Sequence, residues 1–327
     1  MTKMDLEPVE VAGTPAPAQS DRLGGFLKVG PIVLVLAIVA FGLFYWFDQR
    51  TPKAPSIVTT QIGAAEQAIR DQPNNVQARL DLGLLYHHAN RLDEAITQYD
   101  QVLTVAPGHL DAHMGKGAVL QSKGDLLGAT AEYAAVTTAN KGREFSAVDT
   151  RLQAAYYQLG VIALQQGNGE AALGHLENAL RISPTDSDAL FQAARAMRQL
   201  GQNDEAVVTL RKALTFVPTE WCEPYQELKG AYEGIGKAPA ASWADAMNTF
   251  CSGDSATAKQ QLETLVEGDA GPDAMLGLGL IAQTEKDDAG ATAWYRKVLE
   301  RDPGNMAAIA ALAGMGVGPD ATAEPKK

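Results

Sequence analysis

Hydrophobic positions fall into two regimes along this chain. From Pro31 to Phe47 the sequence runs through Ile, Val, Leu, Ala and aromatic residues without one charge. Further on, apolar residues recur at helical spacing between polar ones, which predicts amphipathic helices. A first helix is expected from about Val58 to Asp71, ended by Pro73. Four later prolines, Pro107, Pro184, Pro218 and Pro303, are spaced 77, 34 and 85 residues apart. The spacings are two periods of 34 plus nine, one period, and two and a half periods, so a repeat array is predicted.

Aligned on those prolines, residues 76–109, 153–186, 187–220 and 272–305 place Leu82-Gly83, Leu159-Gly160, Ala193-Ala194 and Leu278-Gly279 at one offset. Ala95, Ala172, Ala206 and Ala291 follow, then Tyr99, Leu176, Leu210 and Tyr295. Small residues let two antiparallel helices approach, large ones fill the gap to the next unit, and proline stops the second helix. Asp93-Glu94 at the start of a second helix suits the positive end of its dipole. Segment 110–143 keeps Gly117, Gly124, Ala129 and Tyr133 but lacks the terminal proline. The nine-residue excess at Lys141 to Thr150 is either a longer loop or an extra helical turn. Between Pro218 and Pro303 the half-period surplus requires an odd number of helices, expected at Glu223 to Gly236, Ala240 to Cys251 and Ser255 to Glu267 before the last repeat.

Leu82, Gly83, Tyr86, Ala95, Tyr99 and Pro107 together resemble the tetratricopeptide repeat. The resemblance implies an all-α fold, a right-handed superhelical solenoid of antiparallel helix pairs, here preceded by one transmembrane helix. The expected organisation is a disordered tail at 1–25, a transmembrane helix at 26–47, a linker at 48–56, a solenoid at 57–315 with an irregular part at 222–268, and a second tail at 316–327. A unit of such an array cannot bury its apolar face alone, so its stability comes from stacking.

The uncharged run, with Phe26 to Gly30, is long enough to cross a bilayer core of about 30 Å. It ends in the interfacial aromatic cluster Phe44-Tyr45-Trp46-Phe47, and no small-x-small cleavage site follows, so an uncleaved anchor is expected. Arg22 and Lys28 before it balance Arg50 and Lys53 after it, so flanking charge does not orient it. The short tail and large C-terminal domain favour a cytoplasmic N-terminus and an extracytoplasmic repeat domain. The net charge of −12 argues against nucleic acid as a partner.

Chemistry-bearing motifs are sparse. The chain has no phosphate-cradling glycine loop, no Gly-x-Ser-x-Gly and no His-Glu-x-x-His, so no enzyme, cofactor or metal is expected. His87, His88, His109 and His113 read as solvated side chains. Cys222 and Cys251 come out level at one end of a helical hairpin. They are either bonded to each other, in an oxidising compartment, or two buried thiols.

The resemblance implies a peptide-binding groove lined by the first helix of each repeat. Carried onto this chain, it gives Leu80, Met114, Tyr157, Phe191 and Leu276 and, four residues on, Leu84, Ala118, Val161, Arg195 and Leu280, with Arg198 on the next turn. Leu80 and Leu84 stand where the family's carboxylate clamp needs Lys and Asn. The expected function is a membrane-anchored scaffold or assembly factor for protein partners. The alternative is a structural subunit or self-associating array, with an enzyme more remote. The order of anchor then repeats is similar to that of bacterial envelope assembly factors, including the tetratricopeptide components of cytochrome c maturation.

Overall fold

The computed structural model describes residue 34 and residues 37–46, 57–140, 148–215 and 221–318. It divides into two compact units, residues 1–60 and 61–327. In the first, residues 37–46 are helical and all exposed, Phe41, Phe44 and Trp46 included. The rest of the expected span 26–47, the tail 1–25 and the linker 48–56 lie outside the described residues, apart from Leu34. No helix among the described residues is long and apolar enough to cross a membrane.

From residue 57 onward the described chain is helical, without a strand among the described residues. The helices are α1 (Ile57–Asp71), α2 (Val76–His88), α3 (Leu92–Val105), α4 (Leu110–Ser122), α5 (Leu126–Asn140), α6 (Thr150–Gln165), α7 (Gly169–Ile182), α8 (Ser187–Gln199), α9 (Asn203–Leu214), α10 (Glu223–Gly234), α11 (Ala238–Cys251), α12 (Ser255–Glu263), α13 (Gly271–Thr284), α14 (Asp288–Arg301) and α15 (Met306–Gly314). Residues 141–147, where the nine-residue excess falls, and most of the tail 316–327 lie outside the described residues.

The repeat landmarks meet as pairs sixteen residues apart. A Cβ added at Gly83 would lie 2.8 Å from the Tyr99 ring, at Gly117 2.8 Å from Tyr133, at Gly160 2.5 Å from Leu176 and at Gly279 2.4 Å from Tyr295. Each first helix thus leaves room for a large side chain of its second helix, and all four of those side chains are buried. The helices of a pair are held this close by packing that tolerates little extra volume.

The turn within each pair needs one residue in the left-handed region. Gly124, Gly167, Gly201 and Gly236 fill it, and Asn90 (φ 57°) and Lys286 (φ 64°) adopt it at the α2–α3 and α13–α14 turns. An N–H to C=O bond closes each helix end, as in Arg91 to Tyr86, Asn168 to Ala163 and Gln202 to Met197. Asn75, Asp149, Asn168, Asp186, Asp254, Asp287 and Asn305 cap the following helices with side-chain acceptors.

Helices α2 and α3, α4 and α5, α6 and α7, α8 and α9 form successive hairpins, and their first helices also touch one another in a row, α2–α4–α6–α8–α10. At α11 this order slips. The α10–α11 turn carries Gly236 (φ 71°), and the next turn, α11–α12, carries Gly253 (φ 98°). Helix α11 therefore closes one hairpin as its second helix and opens another as its first, and the row resumes as α11–α13. Two turns of the within-pair kind in succession are how an odd number of helices fits between Pro218 and Pro303. A disulfide between Cys222 and Cys251, with Cα atoms 5.5 Å apart, joins the start of α10 to the end of α11 at this point.

Candidate functional site

The expected groove residues do not form one open stripe. Leu80 is only 9% exposed, in a cluster with Ile62, Tyr99 and Ala112. Phe191 is 8% exposed and meets Trp221 edge-on, ring centroids 4.8 Å apart. Both expectations are corrected, because adjoining helices cover these side chains. Met114, Tyr157 and Val161 are half-buried, and Leu84 is 49% exposed. Arg195, which is exposed, and Arg198, both expected to flank the groove, share one carboxylate. Glu227 of α10 takes both guanidinium groups, Arg195 at 3.5 Å and Arg198 in direct contact. Arg198 also packs on Gly230, so it ties α8 to α10.

Of the histidines expected to be solvated, His88 is exposed, whereas His87, His109 and His113 are engaged. His109 accepts from the Ala112 N–H, and His87 Nε2 meets Ser122 Oγ at 2.9 Å. His113 Nδ1 is 2.6 Å from Glu132, whose other oxygen holds Lys116 at 2.7 Å; Lys116 also reaches Asp100 at 2.8 Å. These bonds join α3, α4 and α5. Among the described residues no group of three or more His, Cys, Asp or Glu could hold a metal ion.

A cleft lies at the register slip. It measures about 780 Å³ and is lined by Arg211, Lys212, Leu214 and Thr215 around the end of α9, by Tyr225 of α10 and by Trp243 of α11. Helix α13 adds Asp273, Leu276, Leu280 and Gln283; α14 adds Tyr295; α15 adds Met306, Ala307, Ala310 and Ala311. Of the groove positions expected from the sequence, this cleft contains Leu276 and Leu280. Its volume falls within the roughly 300–1,000 Å³ of ligand pockets, and its walls are mainly apolar with a few polar groups.

One ion pair bridges the cleft. The Arg211 guanidinium holds both oxygens of Asp273, at 2.9 and 2.8 Å, and donates to Tyr232 Oη at 3.1 Å. The fork geometry is that of a strong charge-assisted pair. Asp273 thereby raises the Arg211 pKa and keeps it charged. The guanidinium carbon lies 5.3 Å from the centroid of the Trp243 ring, and Tyr225 meets that ring edge-on at 6.2 Å. The Trp243 indole N–H has no acceptor among the described residues although it is buried. Tyr295 donates to Gln283 at 3.0 Å, and burial pushes its phenol up to about 12. Lys212 is exposed and makes no ion pair with a described carboxylate.

Sequence reasoning missed Arg211 because it lined the groove with first helices alone and α9 is a second helix, and it assigned no groove position in the irregular part 222–268 that holds Trp243. Arg211 and Asp273 are 62 residues apart, beyond any local pattern. The two glycines Gly236 and Gly253, half a period apart, were the available signal.

Known proteins carry the same repeat. Residues 62–104, 89–144, 163–232 and 252–305 match the tetratricopeptide repeat family, together more than half of the chain. The cellulose synthase operon protein C of Escherichia coli K12 is 26% identical over 191 residues, 53% of this chain and 16% of that protein. Human protein O-mannosyl-transferase TMTC1 is 25% identical over 160 residues, 46% of this chain and 17% of its own length. The chain thus spans about a sixth of these relatives. The C-terminal part of a tetratricopeptide protein from Cytophaga hutchinsonii superposes with a TM-score of 0.51 at 18% identity, covering 78% of this chain and 94% of its own. YrrB, described as a tetratricopeptide protein with an unusual peptide-binding site, gives a TM-score of 0.50 at 20% identity over 61% of this chain and 98% of its own. With helix pairs, sixteen-residue small-to-large contacts and family matches in agreement, this chain belongs to the tetratricopeptide repeat family.

Proposed function

We propose that this chain is a membrane-tethered scaffold or assembly factor that holds a partner polypeptide in the cleft between α9, α11, α13 and α15. Tetratricopeptide arrays mediate protein–protein interactions. The observation that carries the reading here is the cleft itself: a mainly apolar hollow of about 780 Å³ that no described part of the chain fills. Apolar surface of that kind, rimmed by charged residues, marks an interaction site.

The tether is the uncharged run at 26–47. Its described residues 37–46 are helical and exposed on every side, Phe41, Leu43 and Phe44 included, which suits lipid rather than water. The Cys222–Cys251 disulfide supports an oxidising compartment for the repeats, outside the cytoplasm.

The test is the size of the complex formed by the full chain solubilised from membranes in mild detergent. It is expected to run with a bound partner protein, and Leu280→Arg is expected to release it while helicity is unchanged. A full chain that runs alone, or a complex that survives Leu280→Arg, contradicts the reading.

A further inference from the structure

The disulfide stands where the array is least regular. It joins the start of α10 to the end of α11, the helix that serves two hairpins. Tyr225 follows Cys222 by about one turn of α10, and Trp243 precedes Cys251 by about two turns of α11. Both aromatic side chains line the cleft and belong to one buried core, against which Cys251 also packs. The Lys229–Asp245 pair, which joins the same two helices at 2.9 Å, is partly exposed and contributes little. The bond therefore carries much of what closes this hairpin at the end away from its turn.

Its two sulfurs are unequal. Cys222 is the N-cap of α10, at the positive end of that helix, and its side chain makes no capping bond. At other helix starts Asn75, Asp149, Asp186 and Asn305 accept backbone N–H groups from that position. Cys251 is the last residue of α11, at the negative end. A thiolate is thus stabilised at Cys222 and disfavoured at Cys251. Both residues are partly exposed, so an incoming thiol reaches the bond.

We propose that the Cys222–Cys251 bond is a redox switch for the cleft, opened by thiol–disulfide exchange with a dithiol protein. A thiolate of that protein attacks Cys251 Sγ, the S–S bond breaks, and Cys222 leaves as a thiolate at the start of α10. The second thiol of the reductant then displaces Cys251. Two electrons and the two thiol protons pass to the cysteines, and the reductant ends as a disulfide. Opening frees Tyr225 and Trp243 from a fixed spacing and loosens the grip on the occupant. The inference rests on the protein-binding reading of the cleft and adds its regulation. The coupling is reciprocal, so an occupied cleft resists reduction by the factor that reduction weakens binding.

The experiment equilibrates the full chain, in mild detergent with its bound partner, in mixtures of reduced and oxidised glutathione. After an acid quench, free thiols are alkylated and located by mass spectrometry. The bond is expected to open while circular dichroism stays helical, with the trapped glutathione adduct on Cys251. The partner complex is expected to weaken roughly tenfold or more once the bond is open. The Cys222→Ser/Cys251→Ser chain is expected to behave as the reduced one; if it fails to fold, reduction of the unaltered chain decides the matter. A bond that opens only in denaturant, or an adduct on Cys222, overturns the inference. A complex indifferent to confirmed reduction overturns it too and leaves the protein-binding reading in place. An oxidised chain that runs alone contradicts that reading itself, and this inference with it.

Discussion

Breaking the Cys222–Cys251 bond perturbs the array where its order slips. The bond closes a loop with a sequence separation of 29 residues. Loop-closure entropy for that length corresponds to about 3.6 kcal/mol removed from the unfolded ensemble. Units of a repeat array contact only their neighbours, so this loss falls on α10, α11 and α12 rather than on the whole chain. A loss of that size lowers local protection by a few hundredfold, at roughly tenfold for each 1.4 kcal/mol. Hydrogen exchange on oxidised and reduced protein, with intact mass confirming the state of the bond, reads this directly. Amides of Leu228, Tyr232 and Met247, all in the buried core, are expected to lose protection on reduction, while those of Tyr99 and Tyr133 keep theirs. Equal loss at both ends would refute the local picture. Unchanged protection at α10 and α11 would refute the stapling role.

Other perturbations read the packing and the site. Gly160→Ala, whose Cβ would lie 2.5 Å from Leu176, is expected to cost about 1–3 kcal/mol in thermal or urea melts. Gly174→Ala, with nothing within 4 Å, is expected to stabilise α7 by roughly 0.5–1 kcal/mol in the same assay. Phe191→Ala should cost about 3–5 kcal/mol, as a core deletion does, whereas Leu84→Ala should stay within about 0.5 kcal/mol. A double-mutant cycle on Arg211 and Asp273 should return a coupling of about 1 kcal/mol, since the pair is partly solvated. A chain lacking residues 1–56 is expected to be helical by circular dichroism and to remain in the supernatant when membranes are sedimented.

Most of the helical order was legible in the chain, because it is written in local, periodic terms. The Gly83–Tyr99 and Gly279–Tyr295 pairs stand at constant offsets from the prolines, and cap residues such as Asn75 and Asp186 precede the helices they start. The site was far less legible. Which face of a helix stays open depends on what the next repeats cover, and that is a long-range property. Leu80 and Phe191 are as apolar as Leu276, yet neighbouring helices bury the first two and leave the third in the cleft. The α9 wall joins the cleft because α11 serves two hairpins. The half-period surplus before Pro303 predicts the odd helix but not which helix serves twice, and the Gly236 and Gly253 turns mark it. The cysteines show the same division: their levels on a hairpin followed from helix rise, but pairing required the two helix ends to meet at 5.5 Å.

The most direct test of the central claim is photo-crosslinking in cells, with a reactive residue placed in turn at Leu276, Leu280 and Met306 in the cleft and at Leu84 and Val161 on the earlier helices. The account predicts one heterologous protein adduct from the three cleft positions, absent from Leu84 and Val161. Adducts from Leu84 and Val161 with none from the cleft, in folded and abundant protein, would contradict it.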